Sequence, residues 1–578
     1  MTDLTIKIGG AAGFGIMTTG LFLGKIAARS GYEAFEYPEY PSLIRGGHNV
    51  VSVRIADGKV FSQEKKTDIL ICLNEGTYRL HSSELKDGGL AVIDQDKVDP
   101  KKLEKPAGNI TLLHVPFAKI LKDNSLSPVM LNNIALGVLM HLVGADLEIL
   151  NQLITETFAR KNKEIIDKNI QAARFGFEYV QKNFPAGYKT KLSKKASIEK
   201  RLFISGNEMI GLGAIAAGCK FYCAYPMTPS STILHYLAAK SEKSQMVVKH
   251  AEDEISVINM ALGASWAGVR SMTGTSGGGY ALMVEAVSLA GITEMPVVIA
   301  MGQRPGPATG MPTWTEQGDL LFILHSGHGE FPKILLAPGD MEETYRLTLE
   351  AFNLADIYQT PVFILVDKYL QEGHQSVEEF RIKNLELKIN RGKLLSDKDL
   401  QNITNYKRYQ ITDDGISPRA LPGMKNVLHQ VNSYEHLEDG HTTEEENERT
   451  KQVDKRNRKT ATFLAKNAKL PVLYGKKEAA LTIIAWGSMK GPILQAMQGN
   501  EDKFNLLHFT YLWPMPSEPV TKILKDCRKT LLVENNSTGQ LGQLLKMVTG
   551  IGIDDRLLKY SGRPFYPEEI LEKIKETL

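Results

Sequence analysis

FYCAYPMTPSS (221–231), MVVKHAEDE (246–254), VRSMTGTSGGG (269–279) and PVVIAMGQRPGPATG (296–310) share one plan. Each is a short apolar run that ends in a turn dense in glycine, proline or small polar and acidic residues. Apolar runs of four to six residues alternating with helical stretches predict a parallel sheet with crossover helices. In such a sheet every strand ends at the same edge, and ligands bind in the crevice there. The four turns are therefore expected to meet at one site. Between them they offer the hydroxyls of Thr228, Ser230 and Ser276, the carboxylates of 252–254, the guanidinium of Arg304 and bare backbone. That set suits a small anionic substrate together with a cofactor.

The chain of 578 residues is too long for a single core. An apolar fraction of 43% with mixed charge describes a soluble globular protein, and a net charge of +3 is too small to argue for nucleic acid or a membrane surface. No apolar run approaches the ~18–20 residues that span a bilayer, and MTDLTIKIGG enters a strand without a signal-peptide core. The expected location is cytoplasmic. Four cysteines, Cys72, Cys219, Cys223 and Cys527, contain no CxxC pair, so an iron–sulfur cluster held by this chain is not expected.

The fold class read from the sequence is α/β, with three α/β domains. Residues 1–185 open with the strand DLTIKIG and the turn Gly9–Gly15. A lysine-rich linker follows at 186–201, then a second domain at 202–380 carrying the four turns. Residues 381–474 are a polar connector that ends in a charged helix, and 475–578 form the third domain. The Gly9–Gly15 turn is a poor match to GxGxxG. It reads as a tight strand-to-helix turn, as a phosphate contact such as coenzyme A would make, or as a nicotinamide site. The loop Tyr40–Asn49, with Arg45, Gly46, Gly47 and His48, reads equally as a surface loop. Acids at 252–254 gain about 0.3–1 kcal/mol from the dipole of the helix they begin, so they need no chemical role of their own. Ser230 and its neighbours can simply cap the helix that starts near Thr232. Trp486–Ser488 and Glu534–Gln540 read as packing or interface loops rather than chemistry. The thirteen histidines form no metal-ligand spacing.

YPMTPSS, the glutamate that opens EISVINMALGA, TGTSGGG and RPGPATG together resemble the α subunit of 2-oxoacid:ferredoxin oxidoreductases. GGAAGFG and YPSLIRGGHN are similar to the γ domain of that family, here placed ahead of α. DGISPRALPG (414–423), EHLEDGH (435–441), VENNSTGQLG (533–542) and YSGRPFYPEE (560–569) are similar to its connector and C-terminal domain. The arrangement looks most like the 2-oxoglutarate branch. The resemblance implies a central thiamine-diphosphate fold of the pyrimidine-binding type and a transketolase-C-like third domain. It also implies CoA-dependent oxidative decarboxylation of a 2-oxoacid with electrons passing to ferredoxin. Glu254 matches the glutamate that faces the aminopyrimidine, with Tyr225, Pro226 and Ser276 beside the cofactor. Arg304 and Thr309 match positions that bind the carboxylate and keto group, and Thr228 lies over the reacting centre with Ser230 next to it. Met227 and Ala308 stand where the family often has isoleucine and serine. Neither a diphosphate–magnesium motif nor cluster cysteines are present. The resemblance therefore implies that Mg2+ and a [4Fe-4S] cluster sit in a β subunit, that thiamine diphosphate is shared with it, and that the assembly is (αβ)2. Coenzyme A is the co-substrate. A sister enzyme for pyruvate, branched-chain or aryl 2-oxoacids is the nearest alternative. A non-catalytic, nucleotide-binding scaffold subunit is the alternative from another class.

Overall fold

The computed structural model describes residues 2–43, 47–98, 108–196, 199–383, 385, 388–401 and 403–578. Arg45 and Gly46 of the 40–49 loop, and residues 197–198 of the expected linker, lie outside the described residues. Contacts divide the chain into two compact units. One comprises Met1–Ser205, Glu372–Asn384 and Tyr566–Leu571, and the other Gly206–Gln371, Leu385–Phe565 and Glu572–Leu578.

The first unit is built on an eight-stranded mixed sheet. Its spatial order is Thr111–Val115, Leu85–Asp94, Thr67–Cys72, Asp3–Ala11, His48–Ala56, Glu33–Glu39, His374–Glu378 and Arg201–Ser205. The four strands from Thr111–Val115 to Asp3–Ala11 run parallel, as their near-continuous Ile, Leu and Val content predicts for strands buried on both faces. The remaining pairs are antiparallel. Strands 201–205 and 374–378 thus join this sheet although they flank the second α/β segment, and His374 lies in register with Glu36.

The glycine turn has steric reasons throughout most of its length. A Cβ on Gly9 would fall 2.6 Å from Thr77 Cγ2, and Gly15 is left-handed at φ 71° where it begins the helix Ile16–Arg29. His48, from the second loop, sits with its Nε2 2.9 Å from His81 Nε2. Burial, then the His81 and Lys7 charges, pushes its imidazole down to about 4.

The second unit carries two sheets. The larger has the order Tyr511–Trp513, Ile334–Leu336, Pro361–Asp367, Val297–Gln303, Ser271–Ser276, Phe221–Ala224 and Val247–His250. All its pairs are parallel except that of Tyr511–Trp513 with Ile334–Leu336. Every residue of Val297–Gln303 and Pro361–Asp367 is buried, each large apolar side chain contributing about 1.5–3 kcal/mol. The four strands read from the sequence are neighbours at one end of this sheet, so their following turns share an edge. The smaller sheet has the order Val472–Tyr474, Phe504–Phe509, Leu481–Trp486, Thr530–Glu534 and Asp555–Leu558. Only Val472–Tyr474 runs antiparallel.

The polar connector is not a solvated spacer. Its helix Glu446–Lys466 buries Gln452, Lys455, Arg456 and Lys459. Lys455 and Lys459 lie 2.5 and 2.6 Å from the two oxygens of the fully buried Glu294, while Arg408 donates to the Glu294 carbonyl. Residues four apart on a helix share a face, which is how two lysines reach one carboxylate. A second cluster holds the connector's other end, with Arg270 and Arg391 at 2.8 and 2.6 Å from Asp356.

Candidate active site

Asp253 and Glu254 are adjacent acids with separate fates. Asp253 has extended backbone geometry and its side chain accepts the Ser256 N–H at 2.7 Å, capping the helix Glu254–Trp266. That hydrogen bond holds the Asp253 carboxyl below its usual range. With the cap supplied by its neighbour, Glu254 turns inward and is 4% exposed. Its Oε1 is buried and has no hydrogen-bond partner. A buried carboxylate oxygen left unpaired is costly, so it marks a place where a donor from outside the chain belongs.

The next strand shapes the space in front of that carboxylate. A Cβ on Gly279 would lie 2.2 Å from Thr275 Oγ1 and 2.5 Å from Glu254 Oε1, so only glycine lets the helix Gly277–Ile292 pass this close. Ser276 holds the N-cap position of that helix but makes no side-chain cap, and its Oγ is buried and unpaired. Tyr225, at the end of Phe221–Ala224, is 39% exposed and meets the His250 ring edge-on. Pro226 and Thr228 are half-buried. Arg304, at the end of Val297–Gln303, donates through Nη1 to the Thr228 carbonyl at 2.6 Å and so joins the first turn to the fourth. Burial lowers the Arg304 pKa, and the Asp319 charge opposes that shift. Thr309 is exposed on the loop beyond it, between Ala308 at φ 56° and Gly310 at φ 53°.

Ser230 stands apart. It is buried, its hydroxyl donates to Thr275 O at 2.8 Å, and it receives Gln371 Nε2 at 3.2 Å. Gln371 also reaches Asn207 Oδ1, whose Nδ2 donates to Pro229 O. The geometry makes Ser230 a brace between two turns.

Sequence reading missed the segment after the fourth turn. Asp319 is tied by its N–H to Gln303 Oε1 at 3.1 Å, and its carboxylate lies against Gly277, whose added Cβ would be 3.0 Å from Oδ1. Its Oδ2 is buried and unpaired. Burial pushes the Asp319 carboxyl up to about 6, with Arg304 pulling the other way, and burial then Asp319 push Glu316 up to about 7. The polar run Thr315–Asp319 was the available signal, but nothing in it announces burial.

The loops of the smaller sheet clamp this segment. Gln317 donates from its N–H to Asn535 O and from Nε2 to Trp486 O, and accepts Asn535 N–H at 3.0 Å. Glu534, fully buried, accepts Trp486 Nε1 and the N–H groups of Leu541 and Gly542. These loops pack, as the sequence reading expected. Among the described residues no group of three or more His, Cys, Asp or Glu side chains is placed to hold a metal.

The chain matches two family signatures. Residues 212–455 match the thiamine-diphosphate-binding region of pyruvate flavodoxin/ferredoxin oxidoreductases, and residues 5–179 match pyruvate ferredoxin/flavodoxin oxidoreductases. It is 33% identical to the 2-oxoacid:ferredoxin oxidoreductase subunit alpha of Sulfolobus sp, over 100% of this chain and 97% of that one. It is 29% identical to the 2-oxoglutarate oxidoreductase subunit KorA of Mycobacterium tuberculosis, over 100% of this chain and 92% of the other. Among solved structures, the 2-oxoglutarate:ferredoxin oxidoreductase from Magnetococcus marinus, with 2-oxoglutarate, coenzyme A and succinyl-CoA bound, superposes with a TM-score of 0.90. That match is at 31% identity, over 100% of this chain and 99% of that one. The orphaned Glu254 oxygen and the Cβ-free wall at Gly279 fit a thiamine diphosphate pyrimidine ring, one of whose nitrogens can share a proton with a carboxyl group.

Proposed function

The chain belongs to the 2-oxoacid:ferredoxin oxidoreductases as an α subunit, and from that premise we propose that its substrate is 2-oxoglutarate. On this reading 2-oxoglutarate, coenzyme A and oxidised ferredoxin give succinyl-CoA, CO2 and reduced ferredoxin, or the reverse. Full-length similarity to a solved 2-oxoglutarate enzyme and to the mycobacterial subunit supports the choice of acid. The observation that carries the chemistry is the buried, unpartnered Oε1 of Glu254.

Thiamine diphosphate supplies a nucleophilic carbon and an electron sink when bound. Glu254 holds a proton at the pyrimidine ring, and its burial in a dry wall fixes that proton's position. Tyr225, Pro226 and Ser276 line the same pocket. Arg304 has Nη1 committed to Thr228 O, and the rest of its fork meets the substrate carboxylate. Thr228 is thereby set over the reacting carbon, with Thr309 on the loop that covers the keto group. Ser230 acts by bracing the turns.

The partner side of the reading rests on the exposed apolar surface around the site. Helices Glu254–Trp266 and Gly277–Ile292 are apolar on nearly all faces, yet Ile255, Met260 and Leu282 are exposed. A surface of this kind is covered by a protein partner. A β subunit bringing Mg2+ and a [4Fe-4S] cluster fits that need, in an (αβ)2 assembly with ferredoxin as acceptor. Among the described residues no helix is long and apolar enough to cross a membrane, and the reading places the enzyme in the cytoplasm.

The test is 2-oxoacid- and CoA-dependent viologen reduction by the complex purified through this chain. It is run with 2-oxoglutarate, pyruvate, 2-oxoisovalerate and indolepyruvate, on the wild type and on Glu254→Gln. Selectivity for 2-oxoglutarate, with a fall of about 10²-fold or more in the variant, is expected. Preference for pyruvate, the acid in the family signatures' own descriptions, would replace the substrate and keep the mechanism. Near-normal turnover in the variant would remove Glu254 from it, and no turnover with any acid would favour a scaffold subunit.

A further inference from the structure

Asp319 is a carboxylate whose charge acts on Arg304 and whose Oδ2 is buried without a partner. Its backbone is fixed at both ends. The Asp319 N–H donates to Gln303, Gly318 O receives Gln540 Nε2 at 2.7 Å, and Leu321 N–H donates to Gln540 Oε1 at 2.9 Å. These contacts hold the backbone on both sides of the carboxylate in place. The carboxylate rests on Gly277 at the start of a 16-residue helix, with Oδ2 buried and unpaired.

The charged groups facing it are few. Arg304 approaches from the end of Val297–Gln303, Glu316 from its own segment, and the helix Gly277–Ile292 presents its positive end. Gln303 and Gln540 contribute only amides. With Asp319 ionised, Arg304 and Asp319 sum to zero, and a substrate carboxylate arriving at Arg304 leaves a net negative charge in a half-buried site. With Asp319 protonated, Arg304 alone meets the carboxylate and the pair sums to zero. The second state is favoured electrostatically wherever water is scarce.

We propose that Asp319 takes up a proton as the 2-oxoacid carboxylate reaches Arg304, so that substrate binding and proton uptake at this site are one event. The proton comes from solvent and rests on the Asp319 carboxylate; no bond of the substrate is broken by it. Asp319 is a positioning residue that acts through Arg304. The inference rests on the functional reading above, in which Arg304 binds the substrate carboxylate. Burial pushes the Asp319 carboxyl up to about 6 and the Glu316 carboxyl up to about 7, which puts the linkage within reach of a pH 5.5–7.5 titration.

Linkage fixes the direction of the test. If the protonated form binds substrate, KM for the 2-oxoacid rises as pH climbs through the Asp319 value. The slope approaches about one decade per pH unit for one proton. KM and kcat are measured for the complex from pH 5.5 to 7.5, with Asp319→Asn and Glu316→Gln alongside. Asp319→Asn, neutral at every pH, should flatten the KM profile and have a KM at pH 7.5 up to about 30-fold below wild type. Glu316→Gln should leave both the slope and its position in place, because burial and Arg304 set the Asp319 carboxyl. A readout without turnover is calorimetric binding of a non-reacting 2-hydroxydicarboxylate in buffers of different ionisation enthalpy. Wild type should take up a large fraction of a proton and Asp319→Asn almost none.

A wild-type KM that is flat with pH, or an Asp319→Asn profile with the wild-type slope, overturns the proposal even if 2-oxoacid turnover is robust. Absence of turnover with every acid instead overturns the functional reading, and the linkage falls with it.

Discussion

Gly279→Ala tests how tightly the Glu254 carboxylate is confined. The added Cβ would sit 2.2 Å from Thr275 Oγ1 and 2.5 Å from Glu254 Oε1, short of the 3.4 Å where ordinary contact begins. The neighbours must therefore retreat by about 1 Å, and Thr275, fully buried on its strand, has little room to do so. Overpacking of this kind costs about 1–3 kcal/mol, and the alanine returns up to about 1 kcal/mol through helix propensity. The expected net loss of stability is thus about 1–2 kcal/mol. The functional loss is larger, because a catalytic group displaced by about 1 Å loses on the order of 10²-fold in rate. Gly278→Ala is the matched control one residue away. The nearest heavy atom to its new Cβ is Ala308 O at 3.9 Å, so the change should be neutral or stabilise by about 0.4–1 kcal/mol with activity unchanged. Thermal melts of both variants, with and without thiamine diphosphate, and viologen reduction by the assembled complexes separate the two terms. Equal activity in Gly279→Ala and Gly278→Ala would show that Glu254 is not held where the site needs it.

Arg304→Lys keeps the charge but loses the planar fork that donates to Thr228 O and, on the proposed reading, to the substrate carboxylate as well. KM for the 2-oxoacid should rise by about tenfold or more with a smaller change in kcat, and an unchanged KM would exclude Arg304 as the carboxylate ligand. Glu294→Gln removes the one anion among Lys455, Lys459 and Arg408, and a buried charge cluster broken this way costs on the order of 3–5 kcal/mol. Its pH dependence has a defined sign. Burial opposes ionisation of Glu294, but the Lys455 and Lys459 charges outweigh it and hold the carboxyl well below its ordinary 4.5. A depressed carboxylate contributes stability that is present above the unfolded value and lost as pH falls through the folded one. Wild type should therefore lose part of its melting temperature below about pH 4.5 through this group, and Glu294→Gln should lack that component.

The shared edge of the four turns was legible because its signal is local and repeated. Strand, turn and helix follow one another within about thirty residues four times over, and a right-handed parallel crossover leaves little freedom in where the turns end up. The roles of Asp253 and Glu254 were half legible. An acid pair at a helix start predicts a cap, but only the structure shows that Asp253 is the cap and that Glu254 is thereby released inward. The strands Arg201–Ser205 and His374–Glu378 were not legible as members of the first sheet. They are five residues long and their partners lie far away in sequence, such as Glu36 for His374, so no local periodicity encodes the pairing.

Charge misleads for a related reason. EENERTKQVDKRNRK reads only as a charged helix, because composition reports the side chains and not what they meet. The structure turns Lys455 and Lys459, one helical turn apart, onto a glutamate some 160 residues earlier, and long-range ion pairs of this sort leave no mark at either end. Asp319 is another case of the same blindness. In TEQGD it is one more polar residue of a loop. Gln317 and Gln540 pin that loop to loops of the smaller sheet, and the pinning sets the carboxylate against Gly277. A group becomes chemically distinctive here because its backbone is held elsewhere. The loops of the smaller sheet therefore bear directly on where the Asp319 carboxylate stands.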